Sequence, residues 1–230
     1  MRPGVAKPRR LVVLTVTMIG AAVAFWRGTA VNDAITSQDR AAFDQLAKRC
    51  HFTATDTIGR IREMQLCVLA EIPRGIIEHG SPREPGDVLK AGRGECYDRA
   101  RVLEKFLGIA GFRTRHVYLF EASRHGVAGL ALKGLASHAL VDVQTEQGWM
   151  SVGTNVAFLG ITTNGDIVAS ARVKKRSNMQ WAYSPPSDLP SQANIAIYGL
   201  WSRHGRFFPP YLPLPDISWR DFRYNFSRDR

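Results

Sequence analysis

The sequence predicts an α+β protein, with N-terminal helices packed on an antiparallel sheet and one apolar helix ahead of them. Three observations lead there. Apolar residues recur at helical spacing through the first half of the chain, gather in short β-type runs after residue 113, and form one uninterrupted stretch near the start. Helices first and strands afterwards is the order of an α+β fold rather than of alternating βαβ units. With 230 residues, 45% hydrophobic and 22% charged, the chain has room for one compact domain and an appendage, or for two small domains at most. Collagen-like, disordered and coiled-coil classes are excluded by the same composition.

The first element follows a basic segment. Residues 1–10 hold Arg2, Lys7, Arg9 and Arg10 and no acid, and residues 11–26 then carry no ionisable side chain. Such a run spans about 24 Å as a helix, and continuing through Arg27 to residue 31 reaches the ~20 residues a bilayer needs. The basic flank precedes the run, so a single-pass anchor is expected, with a cytoplasmic N-terminus and a periplasmic or otherwise extracytoplasmic main domain. Trp26 suits the membrane interface. Two alternatives stand beside the anchor. Ala22-Val23-Ala24 fits a small-x-small cleavage site, giving a removed signal peptide. The other is a buried helix of a soluble protein. Bulky Phe25 and Trp26, where a polar pre-cleavage region belongs, favour the anchor.

The remaining elements divide the chain into residues 1–31, a domain over 32–183, and a C-terminal extension over 184–230. Ser37 is placed to cap a helix through about Arg49, with Ala42, Phe43, Leu46 and Ala47 on one side. A second helix runs from Thr57 to Leu69, before Pro73. Asp87–Lys90 forms one helical turn, and Glu95–Ala110 is the strongest helix, stopped by Gly111. Strands are expected over Thr114–Phe120, His138–Val143 and Trp149–Val152. Val156–Ile161 and Ile167–Val173 flank a turn at residues 163–166 and read as a hairpin. In the extension, seven of the twelve prolines lie between Pro185 and Pro215, among Trp201, Phe207, Phe208 and Tyr211. That texture predicts irregular structure wrapped over the core.

The net charge of +11 sits at the two ends: residues 170–230 hold ten basic and four acidic side chains, and residues 11–169 hold 17 and 16. The core is nearly neutral and carries no zinc-finger spacing or basic helix, so no nucleic-acid partner is expected. Basic ends are instead drawn to anionic lipid. His79, His116, His125 and His204 are scattered and expected at the surface, and Cys50-His51 has no second pair, so no metal is expected. No phosphate-loop Lys-Ser/Thr is present, and no cofactor is expected.

The chemistry points to Cys96. It opens the strongest helix after Gly92-Arg93-Gly94, where the helix dipole favours a thiolate. Ala100, Leu103 and Leu107 lie on its helix face, so the thiol turns towards the sheet. His138 opens the strand His-Ala-Leu-Val-Asp-Val, which makes a thiol–imidazole pair in prospect. From residue type alone, each is as readily a small core residue and a strand-end histidine.

Four pieces in order carry a resemblance: Gly94-Glu95-Cys96, then Gly111-Phe112-Arg113-Thr114-Arg115-His116-Val117, then Ser137-His138-Ala139, then Gly148-Trp149. Over about residues 85–170 the chain resembles the transglutaminase-like superfamily of papain-type cysteine enzymes. The resemblance implies that Cys96 is a nucleophile towards the carbonyl of a peptide or protein amide. It implies that His138 takes the thiol proton and hands it to the leaving group. The acyl-enzyme then goes to water or to an amine, and the Cys96 backbone N–H is the natural oxyanion donor.

One position departs from the family. Where an Asp is usual four residues after the Trp, the chain has Gly153. Asn155 is the first candidate for the missing partner of His138, because an amide oxygen can accept from the ring. Asp142 is too far along the strand from His138, and Asp166 lies on the following turn. With no partner at all, the fold reads as a non-catalytic binding or assembly module whose aromatic, basic C-terminal segment contacts an envelope protein, a glycan or lipid headgroups. Cys50 and Cys67 stand equally as a disulfide in an exported domain or as two buried thiols. Residues 121–136, with Gly126 and Gly129, form a small-residue loop before His138, read either as the rim of a groove or as ordinary surface.

Overall fold

The computed structural model describes residues 8–78, 80–121, 126, 128, 136–173, 179–185, 194–201 and 216–227, with the side chains of the first helix from Thr15 on. Helix α1 (Pro8–Thr29) carries the apolar run. Its described side chains are exposed as far as Gly28, Val16, Met18 and Ile19 at 64%, 65% and 59%. Among the described residues no helix is long and apolar enough to cross a membrane. The expected span also takes in the side chains of residues 11–14, which lie outside the described ones, as do residues 1–7 of its basic flank over residues 1–10.

Helix α2 (Ser37–Ala47) is capped by Thr36, one residue before the expected cap. Thr36 Oγ1 accepts from the Asp39 N–H at 3.1 Å, and Asp39 accepts from the Thr36 N–H at 2.8 Å, a reciprocal cap. Helix α3 (Thr57–Glu71) is capped by Asp56 and buries Ile61, Met64, Cys67 and Val68. Cys67 is joined to Cys50 by a disulfide. Closing a loop of this length contributes about 3 kcal/mol by restricting the unfolded chain. Helix α4 (Pro85–Ala91) extends the expected turn at both ends, with Pro85 in its first turn and Gly92 closing it at φ 61°.

Helix α5 (Cys96–Ile109) is the centre of the domain, and every residue from Asp98 to Leu107 is buried. Ala100, Leu103 and Leu107 pack with Ala139, Val141 and Val143 of the sheet. The charged side is covered as well. Arg101 meets Glu84 at 3.1 Å and donates to the Asn32 carbonyl at 2.6 Å. Lys105 meets Asp39 at 2.8 Å and Glu84 at 3.0 Å, and Glu104 accepts from Arg220 at 2.6 Å.

The sheet has the order β3-β2-β1-β4, all neighbours antiparallel, from β1 (Thr114–Glu121), β2 (Ser137–Thr145), β3 (Gly148–Val152) and β4 (Asn194–Tyr198). Leu119 stands opposite His138 on one side and Ala196 on the other. Behind the sheet, fully buried Arg115 bonds Asp142 at 3.0 and 3.1 Å and stacks on Trp149, Tyr198 and Tyr224.

Three expectations need correction here. The run Ile167–Val173 is not the second arm of a full hairpin. Ile161 still bridges Ile167, but Asp142 accepts from the Ser170 N–H and hydroxyl at 2.9 and 2.5 Å, and Ser170–Val173 turns into helix α6. The extension is not wholly irregular. Its alternating Ile195, Ala196, Ile197, Tyr198 make β4, while β5 (Leu200–Trp201), β6 (Asp216–Ile217), α7 (Trp219–Phe222) and a 3₁₀ turn (Arg223–Phe226) follow. Residues 202–215, with Phe207, Phe208 and Tyr211, lie outside the described residues.

The third is His116. It is 1% exposed, not on the surface, with its ring stacked on Trp201 at 3.5 Å. Its position on β1 faces Asp221, Arg101 and Leu200; burial first, then the Arg101 charge, pulls its pKa down to about 3. His79, His125 and His204 lie outside the described residues. Because the folded pKa of His116 is depressed, its contribution to stability is full above the unfolded value near 6.5 and fades as pH falls towards 3. His116→Phe is therefore expected to lose less stability than the wild type between pH 7 and pH 4.5, read as the shift in urea midpoint. An equal shift in both proteins contradicts the assignment.

Candidate active site

The start of α5 is held by a buried clamp. Glu95 is the cap residue, and its N–H donates to Asp98 Oδ2 at 2.9 Å. Asp98 in turn accepts twice from Arg83, at 3.0 and 2.9 Å, and Arg83 also donates to the Ile77 and Glu78 carbonyls. Burial pushes the Asp98 carboxyl up and Arg83 opposes that shift. Gly94 is required in this corner, since a Cβ there would sit 2.8 Å from the Asp98 Cβ. The clamp thus fixes the first turn of α5, where Cys96 is half-buried and its sulfur takes no part in the disulfide.

Two phenols lie within reach of that thiol. Tyr97 is pushed up to about 12, by burial first and then by the Asp98 charge, with the sulfur's charge adding to it. Tyr118 of β1 is also raised, by burial first and by the Cys96 charge, while a hydrogen bond with Ser137 works the other way. Ser137 directly precedes His138, so Tyr118 marks where the helix tip approaches the start of β2. Sequence reasoning passed over this tyrosine, because only strand register brings it there.

His138 is 1% exposed, and the turn after β3 covers it. Thr154 Oγ1 donates to the Ala139 carbonyl at 2.6 Å, fastening the turn beside His138. From the other side, Gln65 of α3 donates to the Gly153 and Phe158 carbonyls, both at 2.8 Å. Gly153 is therefore held by its backbone in a space with no room for a side chain. A Cβ would lie 2.6 Å from the Val156 carbonyl and 3.0 Å from the Phe158 Cβ. The position where the resemblance leads one to expect an acid is closed here by packing.

The residue brought to His138 is Asn155, whose Nδ2 lies 3.4 Å from His138 Nδ1. Its Oδ1 accepts from Arg99, a buried residue one turn along α5 from Cys96. Guanidinium offers only donors, so it fixes the amide with oxygen towards Arg99 and NH₂ towards the ring. Nδ1 then accepts, and a neutral imidazole held this way carries its proton on Nε2. Arg99 links the helix of Cys96 to the turn that faces His138, and it was missed because a mid-helix arginine reads as solvated surface. Asp142 is engaged by Arg115 and Ser170, well away from this group. Of the loop over residues 121–136, only Glu121, Gly126, Ala128 and Ala136 are described.

The clamp yields a stability expectation. Asp98→Asn leaves the buried Arg83 charge uncompensated and is expected to cost about 3–5 kcal/mol, whereas replacing both partners with apolar residues recovers much of that loss. Urea unfolding of the two single variants and the double variant checks it. A cost below about 1 kcal/mol for Asp98→Asn would place the pair in the class of exposed ion pairs.

A family model described as the transglutaminase-like superfamily matches residues 44–154. The matched stretch holds Cys96 and His138 and ends one residue before Asn155. No curated protein is similar enough to be matched.

Proposed function

The chain belongs to the transglutaminase-like superfamily over residues 44–154, and we propose on that premise that it is an exported, thiol-dependent enzyme of acyl transfer or hydrolysis acting on a peptide or protein amide. The observation that supports this most is the linkage Arg99–Asn155–His138, which ties the imidazole's polar partner to the helix that Cys96 opens.

In this reading the Cys96 sulfur bonds to the amide carbonyl carbon as its proton passes to His138. The oxyanion is met by the Cys96 N–H at the helix start. The C–N bond then breaks, and the amine leaves with the proton from His138. Water or a second amine attacks the thioester and releases the sulfur. Asn155 is the third member. While it is bound to Arg99 it holds the ring proton on Nε2 and occupies Nδ1, so in this reading the amide turns over and the ring proton moves to Nδ1 before Nε2 takes the thiol proton.

The location belongs to the same proposal. Helix α1 is read as a retained signal anchor, with the domain in an oxidising compartment outside the cytoplasm. The Cys50–Cys67 disulfide fits such a compartment, and the exposed apolar side chains of α1 fit lipid.

The alternative reading is a catalytically silent domain that binds an envelope protein or glycan. Gly153 and the hold of Arg99 on the Asn155 oxygen favour it. Full biological activity in Cys96→Ala would select it.

Iodoacetamide labelling separates the two. Cys96 is expected to react faster in the wild type than in His138→Ala. Asn155→Asp, which can accept from the ring while still pairing with Arg99, is expected to raise the rate near pH 7 by about tenfold, since loss of tautomer control costs up to ~10⁴ in a related triad. Rates unchanged by both substitutions would overturn the catalytic reading.

A further inference from the structure

The C-terminal segment is fastened where α1 leaves the domain. Ala30 bridges Ile217 of β6, and the Val31 N–H donates to the Ile217 carbonyl at 3.0 Å. Just beyond, a chain of edge-on rings runs outward from α1. Phe25 meets Trp219 at 6.5 Å, Trp219 meets Phe222 at 5.5 Å, and Phe222 meets Phe226 at 5.8 Å. Phe226 is 81% exposed, a large apolar residue left in water at the end of the chain of contacts. Two exposed arginines flank the rings, Arg27 in the last turn of α1 and Arg223, while Arg220 between them is engaged by Glu104 and Asp221. Among the described residues of the same segment the carboxylates, Asp216 and Asp221, are both buried.

We propose that this face seats the domain on an anionic phospholipid bilayer, with the rings at headgroup depth and Arg27 and Arg223 on lipid phosphates. The proposal rests on the reading of α1 as a membrane anchor and names what the C-terminal segment adds to it. Three features favour lipid as the occupant. The ring chain is continuous with the exposed apolar side of α1, so both meet the same medium. Aromatic side chains concentrate at the boundary between hydrocarbon and water. Exposed arginine with buried carboxylate gives the face one sign of charge, complementary to phosphatidylglycerol. Fastening at Ala30–Ile217 leaves no slack between the face and the point where α1 ends.

The test uses the full chain carrying Cys96→Ala, so that a single added cysteine takes a nitroxide label while the disulfide stays closed. Labels at Phe226→Cys and, separately, at Val16→Cys are compared in vesicles of phosphatidylcholine with and without phosphatidylglycerol. Collision of the label with oxygen and with a water-soluble nickel chelate reads its depth. The expected result is hydrocarbon depth at position 16 and headgroup depth at position 226. Arg223→Glu should make the position 226 label more accessible to the nickel chelate only when phosphatidylglycerol is present. Hydrocarbon depth at 16 with full aqueous access at 226 overturns the seat and leaves the anchor standing. Aqueous access at both positions overturns the anchor and the seat together. Label–label broadening at 226 that grows with protein density assigns the face to a second copy and also overturns the proposal.

Discussion

Helix α5 places five charged side chains, Asp98, Arg99, Arg101, Glu104 and Lys105, inside the domain. Taking a charge out of water costs several kcal/mol unless a partner and hydrogen bonds meet it. The folded chain meets this constraint by bringing partners from both ends of the sequence. Residues 32–39, the segment from Ile77 to Glu84, the turn at Asn155 and the C-terminal Arg220 all converge on one helix. The apolar side of α5 would pack on a sheet in many arrangements. Its charged side accepts only the arrangement that supplies these counter-charges, and it is this side that specifies the fold.

The candidate site inherits its geometry from the same constraint. Cys96 precedes the first of the five charges by two residues, so the Arg83–Asp98 clamp sets its direction. Arg99 extends the helix's reach to the turn after β3, and Gln65 pulls that turn the other way, onto α3. Between the two pulls, position 153 is left with backbone neighbours on both sides, which is why a glycine stands there. The polar partner of the imidazole moves on two residues to Asn155. An amide, unlike a carboxylate, has a donor end, and the guanidinium decides which end the ring sees.

The end of the domain near α1 follows a different logic. There the apolar surface is not buried within the chain, and the bridge at Ala30–Ile217 brings the C-terminal rings to the same side as the exposed residues of α1. The Cys50–Cys67 bond adds a covalent tie between the segment after α2 and α3, at the opposite end of the chain order from those rings.

Periodicity and capping made the helices over 37–47, 57–71 and 96–109 and the strands β1 to β3 legible from sequence, because those signals are local. The pairing of Gly94 with a cysteine at a helix start, and of His138 with a strand start, was legible for the same reason. What local pattern does not hold is the partner of a buried charge. His116 looked like a surface residue and Arg99 drew no reading, because nothing within a few positions of either shows the Trp201 ring or the Asn155 amide that meets it. Ser170 left the strand pattern because Asp142, 28 residues earlier, takes its N–H and hydroxyl. The sequence by itself determined most of the elements up to β3 and singled out Cys96 as the candidate nucleophile. Only tertiary structure decided which amide faces the imidazole and which way round, since that depends on a donor-only guanidinium 56 residues away in the chain.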